Sequence, residues 1–179
     1  MTVNTVGSSN LCHRCVNSSL AKILHEAGQD DKAIERANKT LDLEPDFAVT
    51  HAVLGIIYQD KQMHAEAIPE FKKALHLGGA PGEMRGLLGY SLAVSGNRVD
   101  AEKVISELKA LWPNHAHGAL DLAVVFSGLG DKGNALYWLG KAEEMNVGDL
   151  IGMAQDSHFV ELRSDQRFQD LVQRVRSPK

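Results

Sequence analysis

Cysteine is almost missing from this chain of 179 residues: there are two, Cys12 and Cys15. A pair this close cannot staple a chain of this length, so a disulfide scaffold is excluded. Proline is scarce, with five against sixteen glycines, and aromatic residues are only 6%. Both shortages disfavour a sheet sandwich and suit helices. Long apolar runs are lacking too. The longest, Ala52 to Tyr58, falls far short of the roughly 20 residues that span a bilayer. There is no basic excess, since the formal net charge is −4, and a phosphate-tracking nucleic-acid binder would need a positive field. The stretch from Met1 to Leu20 has one arginine, Arg14, and no apolar centre. It does not read as a secretory leader, and the expected location is the cytoplasm. What is present is ordinary: 44% hydrophobic and 23% charged residues, enough for a core and about one domain.

The informative feature is a repeat. Leu20, Leu54, Leu88 and Leu122 lie 34 residues apart, as do Ala33, Ala67, Ala101 and Ala135. The small residues Ala21, Gly55, Gly89 and Ala123 keep the same spacing, and so do the large residues Leu24, Tyr58, Leu92 and Phe126. Gly28, Gly96 and Gly130 fall in register, with Gln62 in the fourth place, and Pro45, Gly79, Pro113 and Val147 mark the unit ends. So many columns in phase identify a stack of like units.

Each unit reads as two helices. In the second unit Ala52, Leu54, Gly55 and Tyr58 recur at helical spacing. After a turn at Asp60-Lys61-Gln62 the rhythm resumes with Ala67, Ile68, Phe71, Ala74 and Leu75. The in-phase glycines suit the left-handed residue that ends a first helix. Asp30 or Asp31, and Asp131, are placed to cap second helices. Pro45 and Pro113 stop them, and Pro69, just past a first turn, predicts a mild kink. Alanine and glycine columns let two backbones approach while the large columns fill the space beside them.

These columns resemble the tetratricopeptide repeat. The second unit carries the pattern best, through Leu54, Gly55, Tyr58, Ala67, Phe71 and Ala74. The third has Leu88, Gly89, Ala101, Ile105 and Pro113, and the fourth Leu122, Ala123, Phe126, Ala135, Leu139 and Ala142. The first departs at Ala37 and Thr40, and the family's early tryptophan is replaced by Asn17, His51, Arg85 and Ala119. The resemblance implies an all-α, right-handed α-solenoid of four 34-residue helix-turn-helix repeats. The expected units are 14–47, 48–81, 82–115 and 116–147, after a polar, flexible lead-in at 1–13.

A stack leaves an apolar face bare at each end, so its ends must differ from its middle. Residues 148–179 are expected to close one end. Asp149 to Gln155 reads as a short helix, Phe159 and Leu162 as loop residues, and Asp165 to Val175 as a capping helix with Phe168, Leu171, Val172 and Val175 on one side. Ser164 or Asp165 can cap it, and Arg174 and Arg176 suit its C-terminus. The string from His158 to Phe168 resembles the segment that closes tetratricopeptide domains of bacterial multidomain regulators and kinases.

No catalytic constellation emerges, and no cofactor is expected. Cys12-His13-Arg14-Cys15 is a CxxC motif, but zinc needs four ligands and a second such motif is absent. Val16 stands where a haem-attachment motif needs histidine. His115-Ala116-His117 has no acidic cluster nearby in sequence, so it reads as a polar loop. Gly78-Gly79-Ala80-Pro81-Gly82 is a linker, since no strand precedes it.

The family resemblance assigns partner binding to the first helices. The groove residues it implies are Lys22, Val49, Ala52, Val53, Ile56, Gln59, Leu87, Tyr90, Val94, Leu120, Asp121 and Val124. They are mainly apolar, and a basic set for a terminal carboxylate is missing apart from Lys22. The expectation is a non-catalytic protein–protein scaffold that holds a peptide or helix of a partner. Neither nucleic acid nor membrane is an expected partner. The alternatives are a regulatory or sensory module of a larger bacterial regulator, self-associating as a homodimer, and a metal or redox protein using Cys12 and Cys15.

Overall fold

A computed structural model describes residues 6–78, 84–112, 114, 117–145 and 147–176, with backbone alone at 6–14, 148 and 149. The described residues form helices and turns, with no strand among them. The chain divides into two compact units, residues 1–81 and 82–179.

The first unit holds α1 (Val6–Glu26), α2 (Asp30–Leu43), α3 (Ala48–Asp60) and α4 (His64–His76). α1 pairs with α2 and α3 with α4, while α3 also packs on α1 and α2. The first helix starts at Val6, within the stretch expected as a lead-in. Pro69 sits inside α4 without ending it, because its missing N–H falls near the start of the helix, where few backbone bonds are forfeited.

The second unit holds α5 (Met84–Val94), α6 (Arg98–Leu111), α7 (Gly118–Gly128) and α8 (Lys132–Glu144). Two 3-10 segments, Gly148–Gly152 and Ser157–Leu162, lead into α9 (Gln166–Arg176). α5 packs on α6 and α7, α7 on α8, and α9 on α8 and the first 3-10 segment.

The alanine column explains the tight pairing. Ala33, Ala67, Ala101 and Ala135 are completely buried, as are Ala21 and Ala123 of the small-residue column. At Gly55 an added Cβ would lie 2.5 Å from Cε1 of Phe71, whose ring is itself fully buried. At Gly89 it would run into Val125. Smallness at these places is what lets facing helices touch.

The turns inside the four pairs are built alike. Gly28, Gly96 and Gly130 have φ of 72°, 79° and 73°, and Gln62 adopts the same left-handed conformation at 60°. Next to them, the N–H of Gln29, Met63, Asn97 and Asp131 donates to the carbonyl of Leu24, Tyr58, Leu92 and Phe126 at 2.8–2.9 Å. This bond is the signature of a helix closed by a left-handed residue. Asp131 then caps α8, its Oδ1 accepting from the Asn134 N–H at 3.0 Å. Asn97 caps α6 in the same way through the Asp100 N–H. The expected acidic cap on α2 is corrected: Gln29 occupies that place without a side-chain cap bond, and Asp30 turns to His25 instead.

The closing segment is tightly anchored. Phe159 and Leu162, expected in a loop, are fully buried on the second 3-10 segment, and Phe168 and Leu171 of α9 are nearly so. The stretch expected as a short helix from Asp149 forms a 3-10 turn. Asp165 opens α9 by accepting the Arg167 N–H at 2.9 Å. Arg174 donates two parallel bonds to Glu143 on α8, at 2.9 and 3.0 Å. Such a bidentate pair fixes orientation as well as contact.

Candidate functional site

In the first unit the candidate residues lie on α1 and α3. Ala52 and Gln59 are buried, and Val49 is exposed near the start of α3. Lys22, Val53 and Ile56 meet in a cleft of about 190 Å³, completed by His25, Glu26 and Asp60. The floor is valine and isoleucine. The rim mixes one lysine, one histidine and two carboxylates.

His25 is the most constrained group there. Its Nδ1 lies 2.8 Å from Asp30 Oδ1 at the start of α2, and its Nε2 lies 2.9 Å from Asp60 Oδ2 at the end of α3. An ionised carboxylate can only accept, so this arrangement favours the imidazolium, in which both ring nitrogens donate. Burial opposes the charge, but hydrogen bonds and charge from Asp30 and Asp60 outweigh it, and the pKa of His25 is raised. The residue thus joins the first helix pair to the second across one wall of the cleft. Sequence spacing alone does not reveal this clasp, since the partners stand 5 and 35 residues away.

In the second unit Leu87, Tyr90 and Leu120 are partly exposed, Val94 is exposed, and Asp121 and Val124 are buried. A Cβ on Gly86 would lie 2.7 Å from Asp121 Oδ1, so α5 and α7 approach closely at this point. The closing segment rests on the same face. The His158 ring meets the Tyr90 ring edge-on at 4.5 Å, and Ser127 Oγ donates to the His158 carbonyl at 2.6 Å. Asp156 orients His158 by accepting from its backbone N–H at 2.9 Å, and lies 2.6 Å from its Nδ1. Burial raises the Asp156 pKa, but the bonds and charge of His158 outweigh it and the net shift is downward. Burial, with Asp156 nearby, pushes the Tyr90 phenol up. Tyr90, expected at the centre of an open groove, therefore carries the chain's own segment.

Cys15 is an exposed free thiol, while the side chains of Cys12 and His13 lie outside the described residues. His115 lies outside them too, and His117 stands at the start of α7. Among the described residues no three metal-ligating side chains cluster, and no helix is long and apolar enough to cross a membrane.

No protein-family model and no curated protein matches this chain. Solved structures do. One is YrrB, described as a TPR protein with an unusual peptide-binding site: 18% identity, a TM-score of 0.56, and coverage of 89% of this chain and 82% of that one. Another is PilF of Pseudomonas aeruginosa, also at 18% identity, with a TM-score of 0.64 and coverage of 96% and 80%. At such identity the likeness is one of fold. With the in-phase helix pairs, it gives this chain the tetratricopeptide-repeat fold.

Proposed function

We propose that the chain is a non-catalytic protein–protein interaction scaffold, with repeats at 14–47, 48–81, 82–115 and 116–147 and a closing segment at 148–179. The observation that carries this is the first-unit cleft. Val53 and Ile56 offer an apolar floor, and Lys22, Glu26 and Asp60 offer polar groups at its edge. This combination suits one apolar side chain of a peptide or helix, with backbone or polar neighbours met by the rim. The fold shared with YrrB, a protein described as having a peptide-binding site, points the same way. Within the second unit, Leu87, Leu120 and Val94 offer apolar surface of their own.

The test is capture of partners from a lysate by the immobilised chain and by its Ile56→Glu variant, with circular dichroism confirming unchanged helicity. A carboxylate on the floor should abolish capture. Undiminished capture by a well-folded Ile56→Glu variant overturns the cleft as the binding site. Gel filtration across concentration separates a self-associating module from a scaffold, since a scaffold stays monomeric.

A further inference from the structure

The outer side of the first helix pair carries a second surface, distinct from the cleft. In the leucine column, Leu54 and Leu122 are essentially fully buried. Each belongs to a first helix against which the second helix of the preceding pair packs: α2 on α3, and α6 on α7. Leu20 and Leu24 of α1 stay partly exposed. Val16 and Ile23 beside them are 56% and 58% exposed. At 100° per residue, these four occupy an arc of about 100° on α1.

α2 contributes the other half of the surface. Lys32, Glu35, Arg36, Lys39 and Leu43 recur at spacings of three and four and fill a similar arc of about 100°. Leu43 is 81% exposed, the most of any large apolar residue described. Leu20 and Leu24 form the floor of a cleft of about 310 Å³, and Lys32, Glu35, Arg36 and Lys39 form its rim. Three cations and one carboxylate give this rim a charge of +2, within a chain whose net charge is −4. Glu35 is engaged by Lys39 at 2.6 Å. Lys32 and Arg36 donate to the neutral amides of Gln29 and Asn17.

We propose that this face docks an acidic amphipathic helix of a partner protein. The helix lies where the second helix of a preceding pair would lie. Its apolar side covers Leu20, Ile23 and Leu24, and its carboxylates meet Lys32, Arg36 and Lys39. Shape favours a helix, because the site is a trough between two helices, already matched at α3 and α7 by a packed helix. Charge favours an acidic one. A flat anionic membrane fits less well, because the leucine floor is recessed between the helices instead of projecting.

The test uses the whole chain and a fluorescein-labelled helical peptide with leucines at i, i+3, i+4 and i+7, flanked by glutamates. Fluorescence anisotropy should show saturable binding that weakens as NaCl rises from about 0.05 to 0.5 M, because the exposed charges are then screened. The triple reversal Lys32→Glu, Arg36→Glu, Lys39→Glu alters exposed or rim positions only, and should weaken binding at least ~10-fold with helicity unchanged. Leu20→Gln should weaken it similarly, whereas Ile56→Glu in the other cleft should leave it intact. That last result keeps this site and the first-unit cleft separately testable. The proposal is overturned by no binding of the peptide, by equal binding of its lysine-flanked counterpart, or by an unaffected triple variant. It is equally overturned if sedimentation shows a dimer that the triple reversal dissolves. Binding to phosphatidylserine vesicles that the reversal abolishes, with the peptide inert, assigns the face to membranes and also overturns it.

Discussion

Replacing Gly55 by alanine should destabilise the first unit in the native chain and stabilise it once Phe71 is gone. Two opposed effects act at Gly55. Inside a helix, glycine-to-alanine gains about 1 kcal/mol from reduced chain entropy. Against that, the new Cβ would sit 2.5 Å from Phe71 Cε1, and the ring is fully buried and cannot swing aside. Overpacking of this kind costs about 1–3 kcal/mol, so the single variant should lose about 1 kcal/mol net. Phe71→Ala alone should cost about 3–5 kcal/mol by leaving a cavity. In that background the methyl group meets open space and Gly55→Ala should gain about 1 kcal/mol. The coupling is then about 2 kcal/mol, well above the ~0.5 kcal/mol scatter of independent sites. Native-state hydrogen exchange of α3 and α4 amides reads the first unit by itself, which tryptophan fluorescence cannot, since Trp112 and Trp138 both lie in the second unit. A stabilising Gly55→Ala in the native chain, or equal effects in both backgrounds, refutes the close-contact account of the small-residue column.

Other perturbations follow from the turns and caps. Gln62 sits at a φ of 60°, so Gln62→Gly should raise first-unit stability by about 0.5–1 kcal/mol, while Gly130→Ala should cost about 1 kcal/mol in the second unit; denaturant titration of each variant decides. Asp131→Ala removes the cap on α8 and should lower second-unit stability by about 1 kcal/mol, read by tryptophan fluorescence in urea. For His25 the folded pKa is raised, so its stabilising effect is complete below the ordinary value near 6.5 and is lost as pH rises through the folded pKa. Exchange protection of the first unit should therefore fall as pH rises above about 6.5, and His25→Gln should flatten that dependence; an equally steep profile in the variant would exclude the clasp as its source.

Much of this was legible in advance because the repeat converts spacing into contact. Once Ala33, Ala67, Ala101 and Ala135 are seen in phase, their shared burial follows, and the in-phase glycines announce left-handed turns. Gln62 could be placed in that series by register alone, although its residue type argues against the conformation. Contacts that break the repeat were not legible. Asp30 looks like a helix cap because it stands at a helix start, yet His25 competes for its carboxylate and wins. Nothing in the spacing brings His158 to Tyr90, since that contact depends on where Phe159 and Leu162 anchor the closing segment. Groove positions inherited from a family pattern assume that nothing of the chain's own lies on them, and Tyr90 does not meet that assumption.

The two-bond grip of Arg174 on Glu143, beside the buried Phe168 and Leu171, has a consequence for engineering. A further repeat spliced in after Ala142 would have to displace α9, a helix already fitted to α8. A repeat joined ahead of α1 would meet Ile23, which is exposed, and Leu20 and Leu24, which are partly so. The architecture thus has a direction of growth, and a consensus unit added before the first pair should raise melting temperature where the same unit added after the fourth should lower it.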